Sequence, residues 1–285
     1  MAARKPTPGS FGRRGIRARQ LSNGLTDKAM IELNRIYNEN CLEGMKKIPD
    51  ESVDCIVCDL PYGALNKGNE KAQWDNVIPT ELLFREYWRV AKNTAPVILF
   101  CQGMFTAQLM MAERKNWRYN LVWMKDRPTG FLNAKRMPMR KHEDIAVFYR
   151  ALPTFHPQMQ QGLPSHPRGH KYGKSDGNAC YGSYDIEKFS KEMTTEKYPT
   201  SVIYFPKEKQ LEMHPTQKPV ALLQYLIRTY SNEGDTILDN CMGSGTTAIA
   251  AIREKRKFVG FELNKEYYEK ACKRIQKEQA QLTLF

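Results

Sequence analysis

Residues 236–247 read TILDNCMGSGTT, a short apolar run that passes into a glycine-rich turn and then into small residues. The run at 236–239 predicts a buried strand, and the Thr- and Ala-rich residues from Thr246 onward predict a helix. Gly243 and Gly245 let the backbone of the turn approach a ligand closely, and N–H groups at the start of the helix stay free to bind it. The segment therefore predicts a strand–turn–helix unit that binds a nucleotide-like cofactor.

A carboxylate that completes this unit follows the next apolar run. Residues 258–261 predict a second strand, and Glu262 comes directly after it. At the edge of a parallel sheet, a carboxylate in that position accepts hydrogen bonds from ribose hydroxyls. The turn lacks the Lys-Ser/Thr pair of a P-loop, which argues against ATP as the ligand. For the Gly-x-Gly alone, a turn that serves only tight packing is the alternative.

Strands alternate with helices along most of the chain after residue 30. The apolar runs that predict further strands lie at 53–58, 97–100, 121–123 and 145–149. The segments with a helical period lie at 80–90, 105–113 and 218–230, with a last one from Lys265 that Asn264 would cap. This alternation indicates an α/β fold with a doubly wound, mostly parallel sheet.

Two regions interrupt the alternation. Residues 1–29 contain seven Lys/Arg against one Asp, with scattered Pro and Gly, and predict a disordered basic arm. A mitochondrial-type presequence, or a natural start of translation at Met30, is an alternative for this arm. Residues 151–213 are rich in Pro, Gly, Ser, Tyr and Lys, and a structureless loop of that length is unusual inside a compact domain. We therefore expect an insertion with a function of its own.

A second informative segment, Asp59-Leu60-Pro61-Tyr62, follows the predicted strand at 53–58. An exocyclic amine of a nucleobase is a poor nucleophile, because its lone pair is conjugated with the ring. The Asp59 carboxylate and the Leu60 carbonyl offer two hydrogen-bond acceptors that favour a more nucleophilic nitrogen. Pro61 holds that carbonyl through its restricted backbone, and Tyr62 provides a ring that stacks on the base. Taken alone, the four residues favour the simpler interpretation of a turn that merely ends a strand.

Three motifs occur in one consistent order: residues 59–62 (DLPY), 214–219 (HPTQKP) and 238–247 (LDNCMGSGTT). The last resembles the S-adenosylmethionine loop of the DNA amino-methyltransferases, and HPTQKP resembles the segment that precedes that loop. DLPY is similar to the catalytic tetrapeptide of the same family. The order, with the catalytic segment first and the cofactor loop last, resembles the β-group of these enzymes. The resemblance covers roughly residues 31–280, apart from much of 151–213.

This resemblance implies a site-specific DNA methyltransferase that uses S-adenosylmethionine and no metal. The catalytic residues that it implies are Asp59, Leu60, Pro61 and Tyr62. The cofactor-binding residues that it implies are Asn40, Thr216, Lys218, Asp239, Gly243, Ser244, Gly245, Thr246 and Glu262. By the same analogy, residues 30–150 form the catalytic half of the domain, 151–213 a target-recognition insertion, and 214–285 the cofactor-binding half.

The chain departs from the family pattern at three places. Leu60 replaces the usual second proline of the tetrapeptide, at a position that acts mainly through its backbone carbonyl. Asn240 and Cys241 replace Pro and Phe after Asp239, so an aromatic ring that would stack on the cofactor's adenine is lost. Asn40 stands where relatives often carry an aspartate near that adenine.

The predicted target is adenine N6, because an aromatic residue after Asp-x-Pro fits adenine enzymes, whereas cytosine N4 enzymes more often begin with Ser. Cytosine N4 is the alternative. The target atom is inaccessible inside a duplex, so we expect the base to be flipped out. Methylation of cytosine carbon 5 is disfavoured, because it needs a cysteine nucleophile, usually after proline, and none of the seven cysteines follows a proline. A non-catalytic DNA-binding protein, or an RNA or protein amine methyltransferase, stays open.

Charge indicates the partner. The chain has 44 Lys+Arg against 31 Asp+Glu, a net charge of +13 that favours an anionic partner such as double-stranded DNA. Residues 113–150 contain ten Lys/Arg, Lys125 among them, against four Asp/Glu, and interleave them with aromatic residues such as Trp123 and Phe131. Contacts with phosphates and bases are predicted there, and a solvated face is the alternative.

Composition also bears on location and assembly. Scattered cysteines favour a reduced cytoplasmic location over a disulfide framework. No apolar stretch approaches the roughly 18 residues that span a bilayer, so no membrane association is expected. A homodimer and a restriction endonuclease partner are both compatible with the sequence, and nothing in it encodes either.

Overall fold

The computed structural model describes residues 31–63, 75–163, 195–207 and 217–282, and the backbone of 173–178 and 182–186. The predicted basic arm at 1–29 and the predicted site residue Thr216 lie outside these residues. Within the described ranges, no helix is both long enough and apolar enough to cross a membrane.

The described residues form strands and helices that we number in chain order. The strands are β1 (Arg35–Tyr37), β2 (Cys55–Asp59), β3 (Val97–Cys101), β4 (Trp117–Thr129), β5 (Arg140–Phe148), β6 (Gln160–Gln161), β7 (Gly173–Asn178), β8 (Gly182–Ile186), β9 (Glu196–Lys197), β10 (Val202–Tyr204), β11 (Thr236–Asp239) and β12 (Lys257–Phe261). The α-helices are α1 (Cys41–Met45), α2 (Thr80–Val90), α3 (Met104–Ala112), α4 (Val220–Tyr230), α5 (Thr246–Arg253) and α6 (Lys265–Leu282), and a 3-10 helix covers Phe131–Asn133.

One large sheet organises the domain. It contains eight strands in the order β1-β12-β11-β2-β3-β5-β4-β10. Neighbouring strands are parallel except around β5, which runs antiparallel to both β3 and β4. The prediction of a mostly parallel sheet is therefore confirmed. Strands β2 and β3 are buried at almost every position, as expected of parallel strands that are covered on both faces.

Helices cover both faces of this sheet. On one face, α4, α5 and α6 contribute Leu226, Ile249 and Ile275 to a common apolar core. On the other face, α1 and α2 contribute Met45 and Leu83 to a second core. The predicted doubly wound arrangement is thus confirmed. Strands β2 and β11 are neighbours, and the strands that follow each of them in the chain are added on opposite sides of this pair. Such a position is a topological switch point, and α/β sheets bind ligands at the carboxyl ends of the strands there.

Local sequence explains most helix boundaries. Helix α2 has its predicted bounds, and the side chain of Asn264 caps α6 by accepting from the backbone N–H groups of Glu266 (2.9 Å) and Tyr267 (3.1 Å). The helix predicted at 218–230 begins two residues later, because Pro219 is its cap and a residue that precedes proline avoids helical backbone. Lys218 therefore lies outside the helix, where its side chain reaches the site described below.

The range predicted as an insertion, 151–213, contributes to more than one part of the structure. Strand β10 lies within this range and is the edge strand of the main sheet, parallel to β4. Strands β6 and β9 form one small antiparallel pair, and β7 and β8 form another. The start of the range lies on α4, where the backbone N–H of His156 donates to the Thr229 carbonyl at 2.7 Å. A role of this range in reading DNA stays a prediction.

Candidate active site

A large cavity lies at the carboxyl ends of β2, β11 and β12. Its volume is about 990 Å³, at the upper end of the range for ligand pockets. Residues from both predicted halves of the site line it. They include Asn40, Cys41, Asp59, Leu60, Pro61, Tyr62, Trp123, Lys125, Arg127, Thr129, Glu143, Lys207, Gln217, Lys218, Asp239, Cys241, Gly243, Ser244, Thr246 and Glu262.

The glycine-rich turn is held in place by Asp239. One carboxylate oxygen accepts from the backbone N–H of Cys241 (3.0 Å), and the other accepts from the Thr247 hydroxyl (2.5 Å). Gly243 and Gly245 both adopt left-handed backbone, with φ values of 53° and 79°, which side chains other than glycine rarely tolerate. Burial raises the pKa of Asp239 to about 6. The hydrogen bonds of Asp239 therefore stabilise the turn that begins at this residue.

Glu262 joins the turn to the last helix. One oxygen of its carboxylate accepts from the backbone N–H of Gly243, and the other accepts from that of Asn264, both at 2.8 Å. Burial raises the pKa of this carboxyl. The carboxylate still lines the cavity, so the predicted position at the strand edge is the one observed.

Arg274 of helix α6 supports the turn from behind. Its guanidinium donates to the Ser244 carbonyl (3.1 Å) and to the Thr246 hydroxyl (3.0 Å), and both of those residues line the cavity. Gly245 faces the helix instead: a Cβ atom there would lie 3.2 Å from the Cβ of Ala271. Gly245 thus permits close packing of the turn on α6. No local pattern in the sequence indicates Arg274, since its role depends on a contact with the turn across 30 residues.

Asn40 and its neighbours form another wall of the cavity. The Asn40 side chain caps α1, where it accepts from the backbone N–H of Leu42 at 2.9 Å. Asn240, one of the departures from the family pattern, is buried, and the Tyr87 hydroxyl donates to its carbonyl oxygen. Its amide nitrogen lies 3.6 Å from the Cys41 sulfur and 3.5 Å from the Cys241 sulfur. Asn240 therefore links two thiols that line the cavity.

The tetrapeptide ends β2 beside the turn. Tyr62 donates through its hydroxyl to Asp59 Oδ1 at 2.8 Å, and its ring packs on Phe105, with ring centroids 5.2 Å apart. The Lys218 ammonium lies 2.5 Å from Asp59 Oδ2. Both carboxylate oxygens of Asp59 are thus engaged. Lys218, which the sequence assigned to cofactor binding, is placed by the structure against the tetrapeptide.

A second ion pair stands behind the first. Lys125 of β4 pairs with one oxygen of Glu143 on β5, and the other oxygen lies 3.4 Å from the Lys218 ammonium. Two buried lysines and two partly buried carboxylates thus form one charge-balanced group that ends at Asp59. Lys125 is 1% exposed, so its predicted contact with DNA phosphates is wrong: the side chain points inward because β4 alternates faces. Trp123, on the same face, is also buried and cannot stack on bases from the surface.

Burial and charge oppose each other in this group. Burial raises the pKa of Asp59, and the nearby Lys218 ammonium partly offsets that rise. Burial lowers the pKa of Lys218, but the carboxylates of Asp59 and Glu143 outweigh it, so the pKa lies above its usual value. For Glu143, burial would raise the pKa, and the two ammonium groups bring it below the usual value. Lys218 is therefore held as a cation against Asp59.

The described residues contain no group of three or more His, Cys, Asp or Glu side chains that could hold a metal ion. Cys55 and Cys58, which form a C-x-x-C pair in the sequence, are both buried within β2.

A family model described as DNA methylase matches residues 53–273, a span that contains both the tetrapeptide and the glycine-rich turn. The chain belongs to the N6/N4 DNA methylase family. This methylase is similar to the DNA adenine methyltransferase YhdJ of Escherichia coli strain K12, with 29% identity over 254 residues that cover 86% of this chain and 83% of the relative.

Solved structures agree in fold. The crystal structure of M1.HpyAVI with S-adenosylmethionine has a TM-score of 0.56 and 24% identity, over 85% of this methylase and 98% of that chain. The cytosine-N4-specific PvuII DNA methyltransferase has a TM-score of 0.59 and 14% identity, over 87% of this methylase and 92% of that chain. The cofactor of this methylase is S-adenosylmethionine. The cavity suits it, since the half-buried Glu262 carboxylate at the β12 edge and a glycine turn face one space.

Proposed function

We propose that this methylase transfers a methyl group to N6 of adenine in duplex DNA, after the adenine is flipped out of the helix. The observation that carries the proposal is the shared cavity. The Asp59 carboxylate, the Leu60 position and the glycine-rich turn with Glu262 all line one space. A group that accepts hydrogen bonds from an amine and a group that binds a nucleoside are thereby close enough to act on the same reaction.

Several residues of the chain would hold the cofactor. Glu262 offers its carboxylate at the strand edge, Gly243 and Ser244 offer backbone at the turn, and Asn40 lies on an adjacent wall. When bound, S-adenosylmethionine supplies an electrophilic methyl group on a sulfonium. The task that remains for the protein is to orient the amine and to exclude water.

Asp59 would act on the target amine. Its carboxylate and the Leu60 carbonyl accept hydrogen bonds from the amino group, which opposes conjugation of the lone pair with the ring and offsets the positive charge that develops on nitrogen. Pro61 holds the Leu60 carbonyl, and the ring of Tyr62 lies where a base can stack. The new bond from nitrogen to the methyl carbon forms as the bond from that carbon to sulfur breaks, and the methylated amino group, then cationic, loses one proton to water.

Adenine is favoured over cytosine by two observations. The tetrapeptide begins with Asp59 rather than with Ser and ends in Tyr62, and the E. coli relative is named an adenine methyltransferase. Cytosine N4 is the second candidate, since the PvuII enzyme, with a similar fold, is named as specific for that atom. A homodimer and a restriction endonuclease partner are not needed for the chemistry and stay predictions.

The test is direct sequencing of modified bases on plasmid DNA from cells that express the full chain. We expect N6-methyladenine in one short motif and none in cells that express Asp59→Asn, which keeps the size of the side chain but removes its charge. Cofactor binding by purified Asp59→Asn should persist, which separates loss of chemistry from loss of folding. N4-methylcytosine in the motif would show that the target is cytosine N4, the second candidate. Unmodified DNA despite cofactor binding would contradict both candidates.

A further inference from the structure

The hairpin of β4 and β5 ends in a tip, residues 130–139, that exposes apolar side chains. Every residue from 130 to 142 is exposed. Leu132 is 96% exposed and Phe131 is 79% exposed, and both lie in the 3-10 helix of the tip. Met137 follows at 55%. Apolar groups clustered at the end of a projecting hairpin mark a surface that becomes covered by a partner.

The tip is an ordered turn. Gly130 begins it with left-handed backbone, and the 3-10 helix at Phe131–Asn133 follows directly. Backbone N–H groups of Asn133 and Ala134 donate to the carbonyls of Gly130 and Phe131, both at 3.0 Å. Phe131 and Leu132 are therefore presented on a defined backbone, which reduces the entropy that their burial against a partner would cost.

Charge around the tip identifies the partner. Five exposed basic residues lie near the two apolar ones in the sequence, and Asp126 is the neighbouring acid. The basic residues are Arg127, Lys135, Arg136, Arg140 and Lys141. Cations at the sides of an apolar point match a duplex, in which phosphates lie outside and stacked bases lie inside. A protein partner with an apolar groove would not need these five cations.

The tip stands at the mouth of the cavity. Arg127 and Thr129 line the cavity, and Thr129 pairs with Arg140 across the hairpin immediately before Gly130. The segment after β10 fixes this region, since the backbone N–H of Lys207 donates to Asp126 at 2.8 Å. A duplex that delivers a base into the cavity would therefore meet the tip beside the base that leaves the stack.

We propose that Phe131 and Leu132 insert into the base stack at the place that the target base vacates. This inference rests on the proposed methylation of a flipped base and adds the residues that hold the duplex open. Flipping removes the stacking of the target base on its neighbours, and an apolar side chain in the gap restores part of that contact. The same insertion hinders return of the base, so it lengthens the time that the amine spends near Asp59.

The experiment compares two duplexes that carry the methylation motif identified by sequencing. One is fully paired, and the other has an abasic site opposite the target base, which lowers the cost of flipping before the protein binds. We expect Phe131→Ala/Leu132→Ala to lower kcat/KM on the paired duplex by about tenfold or more. On the abasic duplex, the same variant should come within roughly threefold of the unaltered protein, because less unstacking remains to be offset.

Two controls separate insertion from other roles of the tip. Arg140→Ala/Lys141→Ala removes neighbouring cations, and its loss should be equal on both duplexes and should shrink with added salt, because a protein with fewer phosphate contacts depends less on salt. Leu33→Ala removes an exposed apolar side chain just before β1, the edge strand at the other end of the sheet from β4 and β10, and its kcat/KM should be unchanged. Cofactor binding by all three variants should match that of the unaltered protein, which reports folding.

The outcomes are distinct. A loss for Phe131→Ala/Leu132→Ala that is the same on both duplexes would overturn insertion and leave a general contact with DNA. No loss on the paired duplex would overturn any role of these two residues in binding. If the unaltered chain methylates neither duplex while it binds cofactor, the proposed function itself fails, and the inserted pair fails with it.

Discussion

The Lys218 ammonium lies 2.5 Å from Asp59 Oδ2, the oxygen to which an incoming amine would donate. In the proposed reaction, the cation therefore contacts an oxygen that would accept from the target amine, and its charge opposes the rise that burial causes in the pKa of Asp59. Its next nearest anion is the oxygen of Glu143 at 3.4 Å, which offers an alternative partner once Asp59 receives the substrate. The site therefore contains a cation that matches the substrate in its hydrogen-bonding role before the substrate arrives.

This relationship predicts a change in pH dependence. Lys218→Met keeps the length of the side chain and removes the charge that lowers the pKa of Asp59, while burial and the Glu143 carboxylate continue to raise that pKa. The proposed reaction needs the ionised carboxylate, so the acid limb of the kcat/KM profile should move to higher pH by about one unit or more. Methyl incorporation measured at saturating cofactor, from about pH 5.5 to about pH 9, reports this shift of the acid limb.

The Glu143 carboxylate provides the matched control. In Lys218→Met/Glu143→Gln, the neighbouring negative charge is also gone, so the acid limb should return part of the way to lower pH. Lys218→Arg retains the cation and should keep the limb near that of the unaltered chain. An unshifted profile for Lys218→Met, in a protein that still binds cofactor, would show that Lys218 does not control the ionisation of Asp59.

The sequence predicted the parts of this site that are local in the chain. The turn at 239–247 and the tetrapeptide at 59–62 follow from glycine backbone freedom and from apolar runs that end in a carboxylate, and parallel strands necessarily bring such ends to one edge. Glu143 and Arg274 were not predicted, because their roles depend on contacts with residues far away in sequence. Lys125 was assigned to the surface, since composition cannot tell which face of a strand a lysine occupies. The pairing of β4 with β5 determines which face of β4 Lys125 occupies.

Asp239 predicts a pH-dependent difference in stability. Its pKa is raised to about 6 in the folded chain, against 3.8 for the unperturbed group. Between those values the unfolded chain has lost this proton and the folded chain keeps it, so the contribution of Asp239 to stability falls as pH rises from 4 to 6. Two pKa units correspond to roughly 3 kcal/mol as an upper bound.

Replacing Asp239 by Asn removes that titration. The free energy of unfolding of Asp239→Asn minus that of the unaltered chain should become more positive from about pH 4 to pH 7, by up to roughly 3 kcal/mol. Any constant cost from the altered hydrogen bonds to Cys241 and Thr247 cancels in this comparison. Urea unfolding of the cofactor-free proteins at both pH values gives the two differences. A difference that is independent of pH, or that falls, would contradict a raised pKa.

Cys41 predicts selective thiol chemistry at the cavity. A hydrogen bond from Cys241 lowers the pKa of Cys41 to about 7, whereas burial raises that of Cys58 to about 12. Cys41 also lines the cavity. At about pH 7.5, iodoacetamide should therefore modify Cys41 much faster than Cys58. Peptide mass mapping after timed exposure locates the adduct, and Cys41→Ser should remove it.

Cofactor should protect this thiol, since both occupy one cavity. Prior addition of S-adenosylmethionine at about 100 times its Kd should slow modification of Cys41 by roughly a hundredfold, if only the free protein reacts. Equal rates with and without the cofactor would place Cys41 away from the bound molecule. They would leave the identity of the methylated base untouched, because that rests on Asp59 and its surroundings.

Arg274 gives the last prediction, on cofactor affinity. Its guanidinium holds the Ser244 carbonyl and the Thr246 hydroxyl, and Arg274→Ala leaves the turn with fewer constraints. Two hydrogen bonds of modest net worth imply a Kd for S-adenosylmethionine that rises by about three- to tenfold, measured by calorimetry.

Arg253→Ala is the matched control: its ion pair with Glu278 (2.6 Å) joins the same two helices away from the cavity. That variant should lose a similar amount of stability and keep its Kd within about twofold. Equal weakening in both would mean that the affinity depends on the packing of α5 against α6 rather than on the contacts of Arg274 with the turn.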